Sequence, residues 1–360
     1  MSAQEPPPPD THSPPPDSRS RTPSSPPATF YGGQAVIEGV MMRGPRHFAV
    51  ACRRANGEIV VTCETVPPIL RPNWQKWPFL RGVFSLVDAM TLGTKSLFWS
   101  AKVAESDIPS AGKAQESAAA ALPGNIPGPP PATGSENSRS SRVTDIAIGG
   151  AMVTGLLFAL VLIVVVPNLI LEFAKSRGVT ERWQLGGIDG LVRITVFVSY
   201  ILLISRMHYI RRVFQYHGAE HKAINVLEAG KPLNVFSAQE ASRLHPRCGT
   251  AFVFIVLILT TIAFAPFYGL PPLIRIPVHL LVMLPVAGVA FELLRLAGKY
   301  RNNPFAAVLS TPGMWAQLLT TREPDESQLE VSLASLRAVM DAERAEKGEP
   351  PSAPPASAVA

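Results

Sequence analysis

Four apolar stretches in the second half of this chain limit what it can fold into. Ile146–Val166 carries no charge, and neither does Gly249–Tyr268. Ile188–Met207 carries Asp189 and Arg193 near its start, and Pro277–Leu296 is interrupted by Pro285 and carries His279 and Glu292. Each stretch is about the twenty residues that a helix needs to cross a bilayer's hydrocarbon core. In lipid the backbone has to satisfy its own hydrogen bonds, so such stretches are expected as helices. Charged residues make up 17% of the 360 residues, against about 25% in soluble domains, which agrees with a membrane protein. The expected fold is therefore mainly α: a polytopic α-helical membrane protein with four transmembrane helices, preceded by a small cytoplasmic α+β segment.

The rest of the chain divides by composition. Residues 1–28 and 347–360 are Pro-rich tails, and 105–142 is a linker rich in Ala, Pro, Gly and Ser; none can bury enough apolar area to order itself. Residues 29–104 open with a Gly-rich run from Gly32 to Gly44. A β-hairpin is expected next, His47 to Arg54 and Glu58 to Val66 about an Asn56-Gly57 turn, then an amphipathic helix from Phe79 to Lys102. The transmembrane region spans 143–310, and 311–346 is read as a cytoplasmic C-terminal segment with a helix over Asp325–Ala345. Cys52 and Cys63, either side of the turn signal, are candidates for near neighbours across the hairpin.

The net charge of +6 resides mainly beside the apolar stretches. The loop between the second and third holds Arg206, Arg211, Arg212, Lys222, Lys231, Arg243 and Arg247, whereas that between the first and second balances Lys175, Arg177 and Arg182 with Glu172 and Glu181. Basic loops stay cytoplasmic. The expected location is the cell membrane, multi-pass, with both termini cytoplasmic; no apolar signal segment opens the chain. The lipid bilayer is the partner that this pattern implies. No basic run interleaved with aromatics appears, so nucleic acid is not an expected partner.

The basic loop contains His217-Gly218-Ala219-Glu220-His221, an H-x-x-E-H motif. Positions four apart share a helix face, so both imidazoles can reach one metal ion while Glu220 lies beside them. In inverted zincins that carboxylate is the general base. A catalytic site needs a third ligand and an open position. The candidates are, in order, Glu292, costly inside a span unless paired or coordinated; His245; and Cys248. Zinc is the expected metal, since imidazole and thiolate both suit it. The plain alternatives are polar residues on a juxtamembrane helix, a Glu292 ion pair with Arg295 or a loop lysine, and a helix entry at His245-Pro246-Arg247-Cys248. The Gly-rich run is no phosphate loop; it reads as a site-covering loop or as a buried turn, with Glu38 and Arg43 as its polar groups expected to have specific partners.

Several of these segments also resemble a known family, the YqhQ-like bacterial multi-pass membrane proteins. They are Gly33 to Gly44, Tyr216 to Lys222, His245 to Thr250 and Leu319 to Asp325. The resemblance covers about 30–104 and 143–340 and implies a multi-pass membrane protein with metal-dependent activity. The expected function is a zinc-dependent hydrolase, a peptidase included, at the cytoplasmic membrane face. Its substrate would be a peptide bond in a membrane or juxtamembrane segment, with lipid or small amides fitting as well. The rival readings are a non-catalytic membrane assembly or scaffold protein with a structural metal, and a small transporter using Asp189, His279 and Glu292 as relay groups.

Overall fold

The computed structural model describes residues 31–67, 77–106, 146, 149–151, 153–299 and 304–350. The N-terminal tail, the linker beyond Ser106 and the C-terminal tail beyond Pro350 lie outside the described residues.

A four-stranded antiparallel meander opens the chain: β1 (Gly32–Val36), β2 (Gly39–Arg43), β3 (His47–Arg53) and β4 (Ile59–Thr65), in that order across the sheet. The β3–β4 hairpin forms where expected, with Gly57 at φ +90° supplying the left-handed residue of its turn. The Gly-rich run, expected as a loop, is the β1–β2 hairpin instead. Its turn puts Glu38 at φ 48°, a conformation that costs a non-glycine residue about 1 kcal/mol. Arg212 grips the Glu38 carboxylate through both Nε (2.6 Å) and Nη2, and Tyr216 donates to it, which offsets that cost. Cys52 and Cys63 are not neighbours. Cys52 faces Val60 and Cys63 faces Ala49, which the two-residue period of a strand places on opposite faces of the sheet.

Nine helices follow among the described residues: α1 (Leu80–Ser106), α2 (Gly149–Ser176), α3 (Arg182–Ile204), α4 (His208–Glu228), α5 (Val235–Glu240), α6 (Gly249–Phe264), α7 (Pro272–Lys299), α8 (Pro304–Thr320) and α9 (Glu326–Glu346). α2, α3, α6 with the turn that continues it to Phe267, and α7 are long and apolar enough to cross a membrane. They turn large apolar side chains outward, among them Leu156, Leu157, Phe158, Leu203, Ile262 and Leu281. α8 was not anticipated: Pro304 and Pro312 break its apolar pattern into pieces that read as loop. Gly313 lets α8 approach α6 closely at Ala251.

The N-terminal α+β segment forms one wall of a composite module. One sheet face (Val40, Met42, Ala49, Ala51) packs on α4 (Tyr216, Ala219, Ala223) and α9 (Leu329, Leu333, Leu336) in a single core. The other face (Met41, Phe48, Val50, Cys52) packs on Leu92 of α1. α9 is fixed at its start by a capping box, Asp325 with Gln328, and its buried residues recur at helical spacing. Segments from the start, middle and end of the chain thus form one layer, with α4 at its centre.

Candidate metal centre

α4 carries the H-x-x-E-H motif, and its helical spacing stacks the His217 and His221 rings with centroids 4.5 Å apart. Cys248, the N-cap of α6, completes the group: one ligand atom from each of His217, His221 and Cys248 lies within 4.8 Å of the others. The Cys248 Sγ is 3.2 Å from His217 Nε2. Each imidazole is fixed from behind by a backbone carbonyl. His217 Nδ1 lies 3.0 Å from Thr320 O, and His221 Nδ1 lies 2.6 Å from Arg243 O. A carbonyl only accepts, so each Nδ1 carries the proton and each Nε2 lone pair is left for a ligand. This is the outer-shell arrangement that orients metal-binding histidines.

Glu220 is buried beside this group, with its carboxylate 3.5 Å from His221 Nε2. Burial raises its carboxyl above the ordinary carboxylate range, against the pull of His217, His245 and a hydrogen bond from the Gly33 N–H. Burial likewise holds His221 below its ordinary value, opposed by Cys248 and by the Arg243 carbonyl, which favours the neutral ligand form. Two glycines make the packing possible. A Cβ on Gly33 would stand 2.9 Å from Glu220 Cγ, so β1 covers the carboxylate as closely as backbone can. A Cβ on Gly218 would land on Arg322 O, in the strap that follows α8 and donates Arg322 N to Phe214 O at 2.8 Å.

The other candidates go elsewhere. Glu292, first choice for the third ligand, accepts from Arg81 Nε (2.5 Å) and Nη2 and from the Phe79 N–H, tying α7 to the start of α1. The carboxylate is paired, as its position in a span demands, but with an arginine 211 positions earlier. His245 lies one layer out, its ring centroid 5.8 Å from that of His221. Its Nε2 faces Glu228 at 3.5 Å and its Nδ1 accepts from Arg247 N, so its ring is already used. Arg43 pairs with Asp88 of α1 at 2.6 Å. A second group, His47 with Glu343 and Glu346, is poorly suited to a cation: Glu343 already accepts the Arg46 and His47 N–H groups, and the Arg46 guanidinium joins Glu346. We expect Glu292→Gln to leave metal content unchanged and to lower the thermal unfolding midpoint, consistent with about 1 kcal/mol for a pair whose side chains are 21% and 20% exposed. Elemental analysis beside a melting curve checks both.

Sequence reasoning missed the parts that act through backbone. The Thr320 and Arg243 carbonyls have no residue-type signature, and Thr320 is the last residue of the unanticipated α8. Gln317 of α8 clamps the His245 backbone at both ends, accepting from N and donating to O at 2.9 Å each, and so holds the Arg243–Cys248 loop in place. Gly218, inside the motif, was the one readable signal, since an unexplained helical glycine marks a close approach.

Comparison with known proteins adds a family and no chemistry. The model described as "Protein of unknown function (DUF1385)" matches residues 77–342. The chain is 34% identical over 334 residues to a Bacillus subtilis (strain 168) protein described as "Uncharacterized protein YqhQ", covering 91% of this chain and 97% of that one. No solved structure matches the chain.

Proposed function

The chain belongs to the DUF1385 family of YqhQ-like proteins, and from that premise we propose that it is a zinc-dependent hydrolase acting on peptide bonds at the cytoplasmic membrane face. The observation that carries the reading is the carbonyl behind each imidazole, which leaves two Nε2 lone pairs and the Cys248 sulfur within reach of one cation. Two imidazoles and one thiolate are a donor set that zinc favours, and three protein ligands leave a coordination position open. Bound zinc supplies Lewis acidity and activates water near neutral pH. Glu220 is the general base: it lies beside His221, and burial raises its proton affinity above that of an ordinary carboxylate. β1 shields the carboxylate from bulk water and steadies it through the Gly33 N–H. The basic residues of the loop that carries α4 support the cytoplasmic orientation. A closed four-ligand structural site is less favoured, since the His245 ring is engaged by Glu228 and Arg247.

One observation favours a second reading. Cys248 caps a helix, its sulfur accepts from Thr250 N at 3.4 Å, and His217 Nε2 stands 3.2 Å away. A thiolate so placed is a nucleophile paired with its base. Chelation separates the two. The zinc reading predicts one transition-metal ion per chain in purified protein, lost on His217→Ala, His221→Ala or Cys248→Ser, and peptide hydrolysis abolished by chelator and restored by zinc. Metal-free protein that is insensitive to chelator and inactivated by iodoacetamide would establish the thiolate reading instead.

A further inference from the structure

Far from the metal centre, at the end of the helical bundle away from Cys248, seven polar residues from α2, α3, α7 and the turn after α6 meet, six of them buried. Asn168 and Glu172 come from α2, Asp189 and Arg193 from α3, Tyr268 from the turn after α6, and Arg275 and His279 from α7. Asp189, Tyr268, Arg275 and His279 are 0% exposed, Arg193 2% and Asn168 3%. Burial of this kind among apolar helices is costly and marks function by default.

Part of the cluster satisfies itself. Arg275 donates to Asn168 Oδ1 at 2.5 Å, to Asn168 O and to Glu172 Oε1 at 2.8 Å. Arg193 Nε donates to Asp189 Oδ2 at 2.8 Å, and Tyr268 donates to the same oxygen at 3.2 Å. Arg193 Nη1 reaches the Ile163 carbonyl at 2.5 Å, inside the π-helical turn Val161–Val165 of α2, a widened turn that recurs at functional sites. Four atoms find no protein partner: Asp189 Oδ1, Arg193 Nη2, His279 Nδ1 and His279 Nε2. His279 stacks edge-on to Phe264 at 4.5 Å, and Phe264 also packs on Tyr268.

The charges decide what can fill such a site. Arg193 is balanced by Asp189 and Arg275 by Glu172, so the cluster is close to neutral. An added anion would meet the unpaired Asp189 oxygen, and an added cation would meet two guanidiniums. The orphan atoms comprise donors (Arg193 Nη2 and one His279 nitrogen) and acceptors (Asp189 Oδ1 and the other). Their complement is a small neutral molecule that both donates and accepts.

We propose that Asp189, Arg193 and His279 form a binding site for internal water. Buried waters occupy sites with two to four polar partners, as here. Of the cluster, Glu172 reaches solvent, its side chain 38% exposed.

Water-edited solid-state NMR of the whole chain in lipid bilayers, labelled with ¹⁵N-histidine and ¹³C-phenylalanine, tests this. The His279 ring is identified by its through-space correlation to Phe264, without any variant. The expected result is that its nitrogens receive water polarisation as fast as the exposed His208 ring. Transfer to His279 as slow as to the methyl groups of buried Leu171 overturns the water site.

Discussion

Glutamine in place of Glu220 is expected to leave one zinc ion per chain and to cut peptide hydrolysis about 10²–10⁴-fold, the usual share of a positioned general base. Glutamine keeps the volume of the side chain and can still accept the Gly33 N–H, so the rings and Cys248 stay where they are. It cannot take a proton. The same change has a stability consequence of opposite sign. Burial holds the folded Glu220 carboxyl above its ordinary value of 4.5, so the native state binds this proton more tightly than the unfolded chain does. Stability tied to the group is therefore complete below that ordinary value and declines as pH rises through the higher native one. Glutamine does not titrate and escapes the decline. Metal-stripped Glu220→Gln should unfold at a higher temperature than wild type once the pH is above the raised native value, with the difference shrinking as the pH falls toward 4.5. A variant that keeps wild-type turnover, measured on a defined peptide library by mass spectrometry, removes Glu220 from the chemistry.

Alanine in place of Gly218 is expected to weaken metal binding by about ten- to a hundredfold, the cost typical of disturbing the partners of ligating histidines. Helix propensity alone predicts the reverse of damage, since alanine stabilises a helix interior over glycine by about 1 kcal/mol. Here the new methyl group lands on Arg322 O. The strap must withdraw and pull on the end of α8, where Thr320 O sits two positions earlier, freeing the His217 ring to turn. Gly187→Ala in α3 is the control: a Cβ there meets nothing within 4 Å, so metal affinity should not change. Zinc competition against a chromophoric chelator reads both variants. An unchanged affinity in Gly218→Ala would mean that the strap does not position His217.

The motif was legible because helical periodicity converts a spacing of four into one face, whatever surrounds it. The third member of the group was not. Glu292, His245 and Cys248 are all plausible ligands by residue type, and which of them meets α4 depends on contacts remote in sequence. Arg81 takes Glu292, Glu228 and Arg247 N take His245, and Cys248 remains as the cap of α6. β1 and β2 were hidden by their glycines, which read as loop; they are strands because Gly33 and Gly39 must lie close against Met41 and Ala51 across the sheet. α8 was hidden by its prolines, though the helix packs on α6 and α7.

Local chemistry therefore determined the four long apolar helices, the β3–β4 hairpin, the capped C-terminal helix and the paired imidazoles. Each rests on interactions between residues a few positions apart, or on the bare length of an apolar run. Tertiary structure alone decided that the sheet, α4 and α9 share one core, that a cysteine and not a span carboxylate joins the histidines, and that two carbonyl oxygens orient the rings. Those outcomes depend on backbone groups, which every residue carries alike, and on pairings from 22 positions apart (His221 with Arg243) to 103 (His217 with Thr320), which no local pattern encodes.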